Sequence, residues 1–327
     1  MRALLLSCLA VLAVGSVPSA AHADPLVGRW ITLRSVNVPK NVVRHAGFLG
    51  ESTPLANDQD RKDASFRVVP GLAGGGTVSF EAANYPGHYL RHQGFRIKLM
   101  KSDGSKLFRD DASFTPAPGA AGRGTTFRAS NYPEHALRHC SHHLFIDKGD
   151  GTNKECAPDA KTFAADTSFV VEPAAIATRV SLAPVGFPEH FVRHCGFQGF
   201  IDDNKRNRDC NPAAWRDDTT FLMVPGLEGG GSVSFESVNF PGQYLRHQDF
   251  RVKLAANDGS ALFSKDASFT PVPGLASDAS FRSVNFPDRY LRHCNFKLFI
   301  DGNKHLKECQ AEDATYRRDA SFKLTPR

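Results

Sequence analysis

Short stretches of alternating apolar and polar residues recur along the chain and are cut apart by turn residues. Within residues 76–119 the runs 77–81, 88–92, 95–99 and 112–116 are separated by Tyr85-Pro86-Gly87 and Asp103-Gly104-Ser105. Clusters of Pro, Gly, Asp and Ser end extended segments, so these runs are expected to be strands. In Phe95-Arg96-Ile97-Lys98-Leu99 every second residue is apolar, which places Phe95, Ile97 and Leu99 on one strand face. Beyond the N-terminal segment no helical period persists for ten residues. The pattern predicts an all-β protein.

That pattern returns six times. An Arg-His pair occurs at Arg44-His45, Arg91-His92, Arg138-His139, Arg193-His194, Arg246-His247 and Arg292-His293, each after a Pro-containing turn. Each is followed, 18 to 27 residues after its His, by Asp-(Ala/Thr)-(Ser/Thr)-Phe beginning at Asp63, Asp111, Asp166, Asp218, Asp266 and Asp319. Residues 76–119 align without gaps to 231–274 with 30 identities in 44 positions, so copy 2 matches copy 5. Copies 3 and 6 share Arg-His-Cys and Leu-Phe-Ile-Asp. The order is 1-2-3 repeated as 4-5-6, a duplicated three-copy unit, and the expected domains are residues 24–174 and 175–327. Four strands per copy and three copies per domain predict two tandem β-trefoil domains, each closed around one core. A solenoid or a six-bladed propeller is the structural alternative. The repeated Phe66, Phe114, Phe169, Phe221, Phe269 and Phe322 are expected in the core, as are Phe95 and Phe250.

Composition changes the picture at the N-terminus. Arg2, the apolar run 4–14 and Ala21-His22-Ala23 have the order of a signal peptide, residues 1–23, so the mature protein is expected to be secreted and extracellular. The apolar run is too short to span a bilayer. Removing the segment takes away Cys8 and leaves six cysteines, an even number that suggests disulfides in an exported chain. They fall as Cys140/Cys156, Cys195/Cys210 and Cys294/Cys309, inside the three copies where the His-to-Asp distance lengthens. The simplest account is one local disulfide per insertion. A net charge of +6 without basic runs does not suggest nucleic acid. No membrane association, cofactor or metal is expected, and the chain is expected to be a monomer.

The repeated polar residues allow two readings. Arg and Asp could form a salt bridge that locks each hairpin, with His bonding a turn carbonyl. Alternatively each copy holds a small polyhydroxyl site, because Asp accepts hydroxyl donors and His both donates and accepts. An aromatic at its mouth would cover a sugar face, with Tyr89, Phe191, Tyr244 and Tyr290, three residues before their His, as candidates. Copies 1 and 3 carry Val42 and Ala136 there. Copies 2, 5 and 6 therefore look most complete, and several weak sites on one chain gain by multivalency.

Ser283-Val284-Asn285-Phe286-Pro287-Asp288-Arg289-Tyr290-Leu291-Arg292-His293, with Asp319-Ala320-Ser321-Phe322, resembles the arabinose-binding domain of fungal α-L-arabinofuranosidase B, carbohydrate-binding module family 42, a β-trefoil. The resemblance covers essentially the whole mature chain as two modules. It implies recognition of terminal arabinofuranose on hemicellulose such as arabinoxylan or arabinan. It also implies ligand contacts by His92/Asp111, His247/Asp266, His293/Asp319, His194/Asp218, His139/Asp166 and His45/Asp63. Copy 4 departs, with Val185-Gly186-Phe187-Pro188 where Asn is expected, and copy 1 lacks an aromatic before Pro39.

An enzyme is not expected, because one repeated Asp per copy does not supply the two carboxyl groups of glycoside hydrolysis. The alternatives are α-L-arabinofuranosidase activity in L-arabinose metabolism, an accessory role beside a secreted glycoside hydrolase partner, and a lectin-like or protein-binding trefoil. Cys140-Ser141-His142-His143 does not complete a zinc ligand set, and Asp147, Asp150, Asn153 and Glu155 depart from an EF-hand calcium loop.

Overall fold

The computed structural model describes residues 25–205, 210–304 and 306–327. The signal-peptide expectation lies outside them. All six copies share one order: strand, strand, strand, one short α-helix, strand, with a 3-10 turn added before the helix at Pro212–Ala214 and Lys307–Cys309. In copy 2 these are Val78–Ala82, His88–Gln93, Arg96–Lys101, the helix Lys106–Asp111 and Phe114–Pro118.

Local sequence accounts for each piece. Ile97 and Leu99 are buried while Arg96 and Lys98 are half-exposed, the period-two pattern of a strand with one face inward. The helix starts where the Ser105 hydroxyl accepts from the Phe108 amide, a side-chain N-cap. It stops after two turns, where Ser113 turns back to bond the Arg109 carbonyl and Phe114 enters the core. The repeated Asp is therefore the last helical residue of its copy.

The strands form two sheets of twelve, one from each half of the chain, and the protein is all-β in architecture. In the first, the last strand of each copy pairs with the first of the next, and the third copy returns to the first: Phe66↔Ala82, Phe114↔Ala129, Phe169↔Ser35. The three hairpins also meet one another, at Leu49↔Lys98, Phe145↔Arg96 and His143↔Glu51. The second half repeats both closures. All six phenylalanines of the Asp-x-x-Phe motif are fully buried in the two cores.

The halves meet along Trp30, Leu222, Val224, Leu227, Tyr244 and Phe263. Polar contacts frame this contact: the Tyr244 hydroxyl donates to the Gly28 carbonyl at 2.8 Å and Arg67 Nη1 to the Leu227 carbonyl at 2.7 Å. The expected disulfides Cys140–Cys156, Cys195–Cys210 and Cys294–Cys309 are all formed. Each closes a loop worth about 3 kcal/mol on a chain-entropy basis.

Candidate functional site

Arg and His of each pair are adjacent on a strand, so their side chains leave on opposite faces. On the helix side, Arg91 bonds Asp111 Oδ2 and lies 4.9 Å from the Phe108 ring centre. Arg138, Arg246 and Arg292 likewise sit over Phe163, Phe263 and Tyr316 of their own helices. Arg138, Arg193 and Arg292 are almost fully buried. The arginine thus holds the carboxylate from behind, as the salt-bridge reading expected.

The other carboxylate oxygen faces the next copy. Asn131 Nδ2 donates to Asp111 Oδ1 at 2.8 Å, and Asn131 Oδ1 lies 2.9 Å from His92 Nε2. The same triad is built from His45, Asp63 and Asn84; from His194, Asp218 and Asn239; and from His247, Asp266 and Asn285. His139 and Asp166 receive Asn37 from copy 1, across the closure of the first sheet. Because the amide nitrogen is committed to the carboxylate, the amide oxygen must accept, and the histidine donates from Nε2. Burial holds the pKa values of His45, His92, His139, His194 and His247 below the ordinary imidazole value, consistent with neutral rings.

Two rings stand over each complete triad. At the second, Tyr132 lies edge-on to His92 at 5.4 Å, and Phe95 is 5.4 Å from Tyr132 and stacked at 5.3 Å on His135. Phe48 with Tyr85, Phe197 with Phe240, and Phe250 with Phe286 repeat the arrangement. Phe48, Phe95 and Phe197 are 45, 44 and 47% exposed. Each of these phenylalanines is the second turn residue of its hairpin, with φ of 60° to 66°. Both turn residues have positive φ, which fits the twist of a tight hairpin but strains a bulky side chain. Recurrence of that strain, with an exposed ring at Phe48, Phe95 and Phe197 and a half-buried one at Phe250, marks these positions as functional candidates. At the fourth site His194, Asp218, Phe197 and Phe240 line one cavity of about 180 Å³.

This geometry corrects two sequence expectations. Phe95 is not a core residue, and Phe250 is only half-buried, packed against the edge of the second core: their strands begin at Arg96 and Arg251, and both rings sit in turns above the triads. Tyr89, Tyr244 and Phe191 are not at the mouths. Three residues from a histidine on a strand is the opposite face, and they pack edge-on to Phe108, Phe263 and Trp215. Tyr290 occupies the corresponding strand position, paired with Asp301. Tyr244 is fully buried between the halves.

Because each turn completes the site of the preceding copy, the departures also move. Copy 1's own site is furnished by Asn84 and Tyr85. Its weak turn instead leaves the His139 site with Val38, and His142 there stands where the others have Phe. Copy 4's Gly186 and Phe187 serve the His293 site. Phe187 lies edge-on to His293 at 5.1 Å, but among the described residues no asparagine bridges His293 to Asp319. The two approach to 3.2 Å, and neither ring nitrogen of His293 makes a hydrogen bond. The asparagines and turn phenylalanines were not assigned from sequence, although Asn-(Tyr/Phe)-Pro recurs visibly.

The model of the α-L-arabinofuranosidase B (ABFB) domain matches residues 31–171, 156–223 and 205–324. The chain belongs to this family. Curated relatives include α-L-arabinofuranosidase B of Emericella nidulans, 35% identical over 113 residues (33% of this chain, 22% of that protein). Another is α-L-arabinofuranosidase B of Aspergillus oryzae, 38% identical over 96 residues (29% and 18%). The chain thus spans about a fifth of the length of these relatives. A solved arabinofuranosidase complexed with arabinofuranosyl-α-1,2-xylobiose is 30% identical, with a TM-score of 0.43 over 46% of this chain and 32% of that one.

The expectation that the chain stands apart from enzymes is corrected by these matches, since the relatives are arabinofuranosidases. Its premise of one carboxylate per copy also fails. Asp147, Asp202 and Asp301 are buried beside the repeated Asp, bonded to the same arginine at 2.6, 2.5 and 3.1 Å. Among the described residues no group of three or more His, Cys, Asp or Glu could hold a metal ion. No helix among them is long and apolar enough to cross a membrane.

Proposed function

We propose that this AbfB-family chain recognises terminal arabinofuranose on polysaccharides such as arabinoxylan and arabinan, at sites formed where one copy meets the next. One observation carries the reading: the same His–Asp–Asn triad under two rings recurs at four junctions, made each time by residues from two copies. A furanose offers hydroxyls for hydrogen bonding and C–H groups for packing against a ring. The carboxylate and imidazole suit the former and the exposed phenylalanine the latter. The threefold arrangement of four-strand copies supports a β-trefoil for each half, with domains at residues 24–174 and 175–327. Three disulfides support secretion.

The test is calorimetric titration with arabinoxylan and with the same polymer freed of its arabinofuranose branches, with arabinose release followed in the same cell. Binding lost on debranching is expected, and equal binding to both polymers would overturn the reading. Arabinose release would assign hydrolysis to this chain.

A further inference from the structure

We propose that the disulfide-bearing copies 3 and 4 each build a second sugar subsite, beside the furanose site of the copy that precedes them in space, for the residue to which the terminal furanose is linked. The inference rests on the furanose reading of the triads and adds a site to it.

Two cavities of nearly the same size lie at equivalent places in the two halves. The first, about 240 Å³, lies between the stacked Phe95 and His135 on one side and Phe145, Asp147, Thr152 and Asn153 on the other. The second, about 250 Å³, lies between His190 and Phe296 on one side and Phe200 and Asp202 on the other. Phe95 and His135 also belong to the ring cluster over the His92 triad, and Phe296 and His190 to that over His293. Each cavity thus shares a wall with one furanose site.

The opposite wall is specific to the copies with insertions. Asp147 and Asp202 occupy the strand position filled by Thr53, Met100 and Ala255 in the copies without disulfides. In copy 3 the wall continues into the loop that Cys140–Cys156 ties back to the hairpin. Each cavity also contains a buried polar atom without a hydrogen-bond partner among the described residues: His135 Nδ1 in the first and Asp202 Oδ1 in the second. Asp202 is 2% exposed, with its other oxygen held by Arg193. Buried polar groups are normally satisfied, and a sugar hydroxyl supplies what both atoms lack, a donor to the carboxylate and either partner to the imidazole. An aromatic wall facing polar groups is the composition of a small-ligand site. At the third insertion-bearing junction the Arg289 guanidinium covers Phe250 at 3.7 Å, so the proposal is confined to the first two.

The test uses the full mature chain, isotope-labelled, titrated with methyl α-L-arabinofuranoside and with arabinofuranosyl-xylobiose. Both ligands should shift the resonances of His92 and His293. The oligosaccharide alone should shift backbone amides of residues 147–153 and 200–202, and bind these two sites about tenfold more tightly. Thr152→Trp fills the first cavity from an exposed position outside the triad. It should remove the gain at the His92 site while leaving both methyl furanoside binding and the gain at the His293 site intact. Equal affinity for the two ligands, without shifts in those amides, would overturn the subsite and leave the furanose reading standing. No response of any triad histidine to either sugar would remove both.

Discussion

Asn131 and Asp111 belong to different copies, yet the amide of one is bonded to the carboxylate of the other at 2.8 Å. A site assembled across a repeat boundary couples ligand recognition to closure of the ring. Removing the amide leaves Asp111 Oδ1 and His92 Nε2, both buried, without this partner. Asn131→Ala is expected to destabilise the chain by about 1–3 kcal/mol and to abolish furanoside binding at the His92 site alone. Site-resolved titration checks this, with the His45 and His194 sites as internal references. Unchanged binding at His92 would show that the triad is only a hairpin lock.

Gly186 offers the converse experiment. It lacks the positive φ that would demand glycine, and a Cβ there would first meet Arg318 Cβ at 3.7 Å and Asp319 Oδ1 at 4.0 Å, ordinary contacts. Gly186→Asn should therefore supply the bridge that His293 and Asp319 lack. A new hydrogen bond and a less flexible unfolded chain would together stabilise by about 1 kcal/mol. Denaturant unfolding checks the stability. The His293 Nε2 resonance, moving toward the values of the other triads, checks the geometry.

Tyr244 and Tyr89 separate interface from site. Tyr244→Phe removes the hydroxyl that reaches across to Gly28 and should cost about 1 kcal/mol. Tyr89→Phe, at the half-buried counterpart in copy 2, should cost less. Neither should change furanoside affinity, because both rings lie on the helix side of their strands. A lost furanoside site in either variant, measured by the same titration, would restore these tyrosines as pocket walls.

The difference between what was legible and what was not follows from the range of each interaction. Repeats, strand segments, core phenylalanines and disulfide pairs are encoded by short spacings and could be read directly. The His–Asp pairing was legible because both residues recur in every copy, the Asp 18 to 27 residues after the His. The site's third member was not, because the bond from Asn131 to Asp111 depends on which copies become neighbours in space. Phe95 was misplaced for a different reason. Its alternation with Ile97 and Leu99 is real, but Gly94 and Phe95 form the tight turn and the strand starts one residue later. An apolar residue beside a turn glycine satisfies either pattern, and only the positive φ decides.

The triads also predict how stability depends on pH. Burial lowers the pKa values of five triad histidines in the folded chain, against about 6.5 when unfolded. Between the folded and unfolded values the unfolded chain binds more protons, so stability rises with pH in that window. The contribution is present above about pH 6.5 and is lost as the pH falls through the lower, folded values. Thermal unfolding should be nearly flat from pH 8 to 7, and the midpoint should then fall progressively toward pH 5. His92→Gln keeps a side chain that can donate toward Asn131 but cannot take up the proton. It should flatten the slope by the share of one histidine while the other sites continue to titrate. A midpoint unchanged down to pH 5, or a slope insensitive to His92→Gln, would mean that these rings titrate as they do in the unfolded chain and are not held neutral by their burial against the carboxylates.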